Sequence, residues 1–135
     1  MFMKILAAID GSDMSKKALM EAKHVAVSHQ ATLRIVYAAS DEEDADQKTG
    51  LKLLAQAKSA VGGEVTTETR VVRANAVYGL TGIVDAIANA ANEWDADLVV
   101  VGSSHRRGLE RWVIGSVAEQ LIAKVDASVL LVRST

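Results

Sequence analysis

The stretch Asp97-Leu-Val-Val-Val101, stopped by Gly102, decides the fold. A short run that is apolar at successive positions has no side reserved for solvent. It reads as a strand covered on both faces, the environment of a parallel sheet flanked by helices. The run Val129 to Val132, within a last strand from Ser128 to Val132, has the same character. So does Ile5 to Ile9, which ends at the turn-forming Asp10-Gly-Ser-Asp13.

Between these runs the apolar residues recur with helical period. Met14, Ala18, Ala22 and Val25 mark one face of a helix, with Ser12 or Asp13 placed to cap its first turn. A second strand fits Ala31 to Ala38, and the acidic stretch Ser40 to Asp46 reads as a solvated loop. Leu51, Leu54, Ala55, Lys58 and Val61 line a second helix that ends at Gly62-Gly63. Val65, Thr67, Thr69 and Val71 alternate with polar neighbours, as in a strand covered on one face, which suits an edge. A third helix carries Leu80, Ile83, Val84, Ile87, Ala91 and Trp94. After the fourth strand a loop runs from Ser103 to Ile114, and a final helix from about Gly115 to Val125. The order β-α-β-α-β-α-β-α-β predicts one α/β domain over residues 1–135, a parallel sheet with helices on both faces.

Composition narrows the function. The 135 residues include no cysteine and no proline, so disulfides and cysteine-ligated zinc are excluded, and turns must be made by glycine and Asx residues. A formal net charge of −2 offers no electrostatic footprint for duplex DNA or an anionic membrane, and no apolar stretch has the length of a bilayer span. A cytoplasmic protein is expected. His24, His29 and His105 are too scattered for a metal cluster, and neither a G-x-x-x-x-G-K-[ST] loop nor a G-x-S-x-G elbow occurs. With no base identifiable, an enzyme is not expected, beyond slow ATP hydrolysis at most.

Ligands of open α/β sheets bind outside the carboxyl ends of strands, where strand order reverses. Two strand ends carry suitable chemistry: Asp10-Gly11-Ser12 after the first, and Gly102-Ser103-Ser104 after the fourth, with Gly115-Ser116 opening the last helix. Gly102, lacking a Cβ, admits a ligand close to the backbone. Gly115-Ser116 offers N–H groups and a hydroxyl to an anion at a helix N-terminus, while Asp10 suits a ribose hydroxyl. A plain serine-capped helix explains Gly115-Ser116 equally well on these grounds.

The chain resembles the universal stress protein family over essentially its whole length. The likeness rests on Ile5-Leu-Ala-Ala-Ile-Asp-Gly-Ser-Asp13, Asp95-Ala-Asp-Leu-Val-Val-Val-Gly-Ser103, Gly108-Leu-Glu-Arg-Trp-Val-Ile-Gly-Ser-Val-Ala-Glu-Gln-Leu121 and Ser128-Val-Leu-Leu-Val-Arg133. That resemblance implies a Rossmann-like, adenine nucleotide alpha hydrolase-like sheet of order 3-2-1-4-5. It implies a stress-response homodimer joined through the last strand, and ATP or another adenine nucleotide, with Mg, as ligand. The family's G-x-x-G-x9-G-[ST] pattern falls on Gly102, His105, Gly115 and Ser116, so histidine stands where the second glycine would be. Ala8, Ile9 and Asp10 match the first-strand contacts to adenine and ribose, and Ala38 matches the second-strand contact to adenine. Val101 and Ser103 flank the first glycine, and Val117 follows the serine near the phosphates. The alternative is a nucleotide-free interaction module whose cleft is closed by His105.

Overall fold

The computed structural model describes residues 1–103 and 116–133. Its elements in chain order are β1 (Lys4–Ala8), α1 (Asp13–His29), β2 (Thr32–Ser40), α2 (Asp44–Val61), β3 (Thr67–Ala74), α3 (Gly79–Trp94), β4 (Leu98–Gly102), α4 (Ser116–Lys124) and β5 (Ser128–Val132). A single 3₁₀ turn, Ala76–Tyr78, joins β3 to α3. The five strands pair in the order β3-β2-β1-β4-β5, all parallel. β3 is an edge strand, as its alternating pattern predicts, and β5 is the other edge.

The period-2 alternation of strand side chains splits the core in two. Ile5, Ala7, Leu33, Ile35 and Val100 lie on one face with Leu19, Ala22, Leu54 and Val61 of α1 and α2. Leu6, Val36, Val99 and Val101 lie on the other with Val84, Ile87 and Leu121 of α3 and α4. Strands apolar at nearly every position are what this sandwich requires. Alanines at 18, 22 and 26, all buried, give α1 its close approach to the sheet.

Helix ends show how a chain without proline stops its helices. α1 ends at Gln30 (φ 54°) and α3 at Asp95 (φ 59°), both left-handed, with backbone N–H groups bonded back to the last turn. A left-handed residue with a side chain costs about 1–2 kcal/mol, offset here by satisfying the orphan carbonyls. Glycine and Asx residues therefore do not account for every turn: a glutamine makes one of them.

The acidic segment is also more ordered than its charge suggests. β2 runs on to Ser40 and α2 begins at Asp44, so little of Ser40 to Asp46 is loop. Asp46 accepts hydrogen bonds from the Tyr37 hydroxyl (2.6 Å) and the Ser40 N–H (2.6 Å), and Asp41 accepts one from the Ala76 N–H (3.1 Å). Burial, together with Asp46 and the more distant charge of Asp10, pushes the Tyr37 phenol up to about 12. Among the described residues no helix is long and apolar enough to cross a membrane.

Candidate functional site

β1 and β4 are direct neighbours, with Ala7 opposite Val100. Their carboxyl ends are where the strand order reverses, because β2 and β3 continue to one side and β5 to the other. α1 packs on one face of the sheet and α4 on the other, so this end is where open α/β sheets place their ligands.

The turn after β1 is built by its own polar residues. Asp10 is exposed, and its Oδ1 accepts from the Ser12 N–H at 2.8 Å. Ser12 caps α1 by accepting from the Ser15 N–H (3.2 Å), while the Ser15 hydroxyl donates to the Ser12 carbonyl (3.0 Å) and accepts from the Asp10 N–H (3.3 Å). Among the described residues no hydrogen bond involves Asp10 Oδ2. Between Asp10 and Ser12, Gly11 sits at φ +85°, where a Cβ would be strained and would also stand 3.2 Å from Leu53 Cδ1.

The candidate residues do not all face one way. Ala8, Ala38 and Val101 belong to the α3/α4 face, the two alanines half-buried and Val101 buried. Ala8 and Ala38 are small, so this face is shallow where β1 and β2 end. Ile9 points to the opposite face, into the α1/α2 core, and its N–H is spent on the Val36 carbonyl at 3.0 Å. Val72 stands opposite Ala38 on β3 and packs on the same face, a neighbour the motif does not name. Only the register, which places residue 38 against residue 72, could have pointed to it.

Gly102 has a structural reason of its own. A Cβ there would lie 2.7 Å from the Met14 carbonyl oxygen and 2.8 Å from its carbon. The missing side chain lets the first turn of α1 close onto the end of β4, and on that side protein backbone occupies the space that the sequence assigns to a ligand. Ser103 follows, buried, with its N–H bonded to the Val132 carbonyl at 2.8 Å, so it extends the pairing of β4 with β5.

α4 starts at Ser116. Its other end, near Lys124, is held at the amino end of the sheet: Asn92 donates to the Lys124 carbonyl (3.0 Å) and accepts from the Asp126 N–H (3.1 Å). α4 therefore runs antiparallel to the strands and directs its N-terminus, with Ser116 and Val117, to the strand carboxyl ends. His105 and Gly115 lie outside the described residues. Among those described, no group of three His, Asp or Glu could hold a metal ion.

A parallel five-stranded sheet whose order reverses between β1 and β4, with a helix N-terminus directed at that end, defines a Rossmann-like α/β protein. The chain belongs to the universal stress protein family, whose model matches residues 1–133. It is 34% identical over 154 residues to universal stress protein YxiE of Bacillus subtilis, covering 98% of this chain and 100% of that one. Universal stress protein UspA from Lactobacillus plantarum shares the fold with a TM-score of 0.82 at 21% identity, covering 98% of each chain. A universal stress protein solved in complex with cAMP superposes with a TM-score of 0.75 at 26% identity, covering 99% of each chain.

Proposed function

We propose that this protein binds an adenine nucleotide across the carboxyl ends of β1 and β4, and that it acts in the stress response as a cytoplasmic homodimer. The observation that carries this reading is the shallow face formed by Ala8, Ala38 and Val101 beside the self-held turn of Asp10. A flat purine would rest there on aliphatic atoms. Oδ2 of Asp10 is available to accept from a ribose hydroxyl, while Oδ1 keeps the turn. The phosphates would run from Gly102 toward the N-terminus of α4, where Ser116 and the helix dipole favour an anion. A solved relative at 26% identity, described as a complex with cAMP, supports adenine as the base.

ATP is the nucleotide we assign, with Gly102, Ser103, His105, Gly115, Ser116 and Val117 toward its phosphates. Mg would travel with those phosphates, since Mg²⁺ in nucleotide sites is held chiefly by phosphate oxygens, water and one or two carboxylates. The site binds rather than catalyses. Homodimerisation through β5 is supported by its edge position and by Val129, Leu130 and Leu131, all only half-buried in the single chain.

Denaturing the purified protein and chromatographing the supernatant tests the reading. An adenine nucleotide near one per chain is expected. Gly115→Val should remove it while the protein stays folded, and His105→Gly should keep or tighten ATP binding. A chain that carries none, and binds neither ATP nor AMP after stripping, would be the nucleotide-free module instead.

A further inference from the structure

On the face away from Ala8 and Ala38, α1 and α2 diverge and leave a cleft of about 280 Å³. Leu19 and Met20 of α1 form one wall, Leu53, Ala57 and Ala60 of α2 the other, and Ile9 lies at its floor. Its polar groups are few. The Ser15 hydroxyl is already committed, donating to the Ser12 carbonyl and accepting from the Asp10 N–H. The remaining polar side chains, Lys16 and Gln56, are both exposed, so they stand at the rim. Among the described residues, the ion pairs are Arg34 with Glu68 and Lys124 with Asp85, and Lys16 has no such partner.

We propose that this cleft is a second ligand site, taking a small amphipathic anion: an acyl chain between the helices with its carboxylate against Lys16. The volume sets the size of the ligand. An apolar cavity of roughly 150 Å³ holds benzene, so one nearly twice as large suits a chain of about eight to ten carbons. The lining sets its chemistry, because no unsatisfied polar group inside the cleft would be stranded by a hydrocarbon. The rim sets its charge, since among the described residues that line the cleft Lys16 is the one with a charged side chain. Ile9 belongs to the α1/α2 face, opposite Ala8, Ala38 and Val101. The proposal stands without the nucleotide reading, because none of its apolar walls belongs to the Ala8, Ala38 and Val101 face.

The test is a titration of the full-length protein with sodium decanoate followed by methyl NMR, with decyltrimethylammonium as a probe of the opposite charge. Saturable shifts confined to Ile9, Leu19, Met20 and Leu53 are expected at submillimolar to about millimolar concentration. Lys16→Glu should weaken decanoate by about fivefold to tenfold and invert the preference between the two probes. Ala60→Trp, at an exposed position that leaves the core intact, should weaken both by about tenfold by filling the mouth. Shifts scattered over the surface, affinity unchanged in both variants, or no saturation would each overturn the proposal. So would shifts of the same methyls on raising protein concentration without ligand, which would make the cleft a contact between copies.

Discussion

Replacing Gly102 by alanine separates what the glycine does for the fold from what it does for a ligand. The added carbon would stand 2.7 Å from the Met14 oxygen, 2.8 Å from its carbonyl carbon and 3.2 Å from its Cβ. All three belong to the first turn of α1 or its base, so no flexible side chain can simply swing away. The helix must lift from β4, and Ser15, Ala18 and Leu19, all buried, would lose packing with it. Overpacking of this kind costs about 1–3 kcal/mol, and contact with backbone places Gly102→Ala toward the upper end, about 2–3 kcal/mol. At about 2.1 cal/mol/K per residue, a domain of this length has an unfolding entropy near 0.28 kcal/mol/K, so Tm should fall by about 7–11 °C. Calorimetry on nucleotide-stripped protein is the assay, because bound ligand would add its own stabilisation. A Tm within about 2 °C of the parent would refute the packing argument and return Gly102 to a role set by ligand alone.

Three further outcomes are expected. In a Tyr78→Phe background, absorbance at 295 nm should report Tyr37 titrating near 12; a midpoint at the ordinary phenol value would mean that Tyr37 is neither buried nor bonded to Asp46 in solution. Because that raised value favours the neutral phenol in the folded state, Tyr37 contributes fully below pH 10 and its contribution is lost as pH rises toward 12. Asp97→Asn should cost about 1 kcal/mol at neutral pH, since Oδ2 accepts from the Lys4 and Met3 N–H groups at 2.8 Å each. Those two bonds hold the Asp97 carboxyl below its usual value of 3.8, so the deficit of Asp97→Asn should shrink as pH falls through that range, and urea melts between pH 7 and pH 3 check it. Gly82→Ala should destabilise by about 2 kcal/mol or more, because its Cβ would overlap the Asn75 carbonyl oxygen, and a chemical melt unchanged from the parent would contradict this.

What local pattern can carry, the sequence carried well. Val99 to Val101 need cover on both faces and have the helices that provide it, whereas Val129 to Leu131, equally apolar, are only half-covered at the sheet edge. The neighbouring of β1 and β4 is different, because nothing within either strand encodes which strand lies beside it; the order came from the family likeness. The roles of Asp41 and Asp46 were hidden for a related reason. Asp41 holds an N–H group 35 residues away, and a run of carboxylates looks the same whether solvated or bonded. Gly102 illustrates the limit at the site itself. Glycine after a strand suggests a close approach, but whether a ligand or α1 makes that approach depends on Met14, far along the chain. Within the site, Asp10, Ala8, Ala38 and Val101 are brought to one end of the sheet, while Ile9 turns its side chain to the opposite core.

Nucleotide binding at the proposed site depends on an adenine lying against the Ala8, Ala38 and Val101 face. Calorimetric titration of AMP and ATP into stripped protein, for the parent and for Ala38→Leu, measures that directly. Ala38 is half-buried and stands at the end of β2, so the larger side chain should occupy the base position without unfolding the domain. The predicted result is saturable binding by the parent and at least about a tenfold loss in Ala38→Leu, with Tm changed little. Equal affinity in the two proteins would put the base somewhere other than this face.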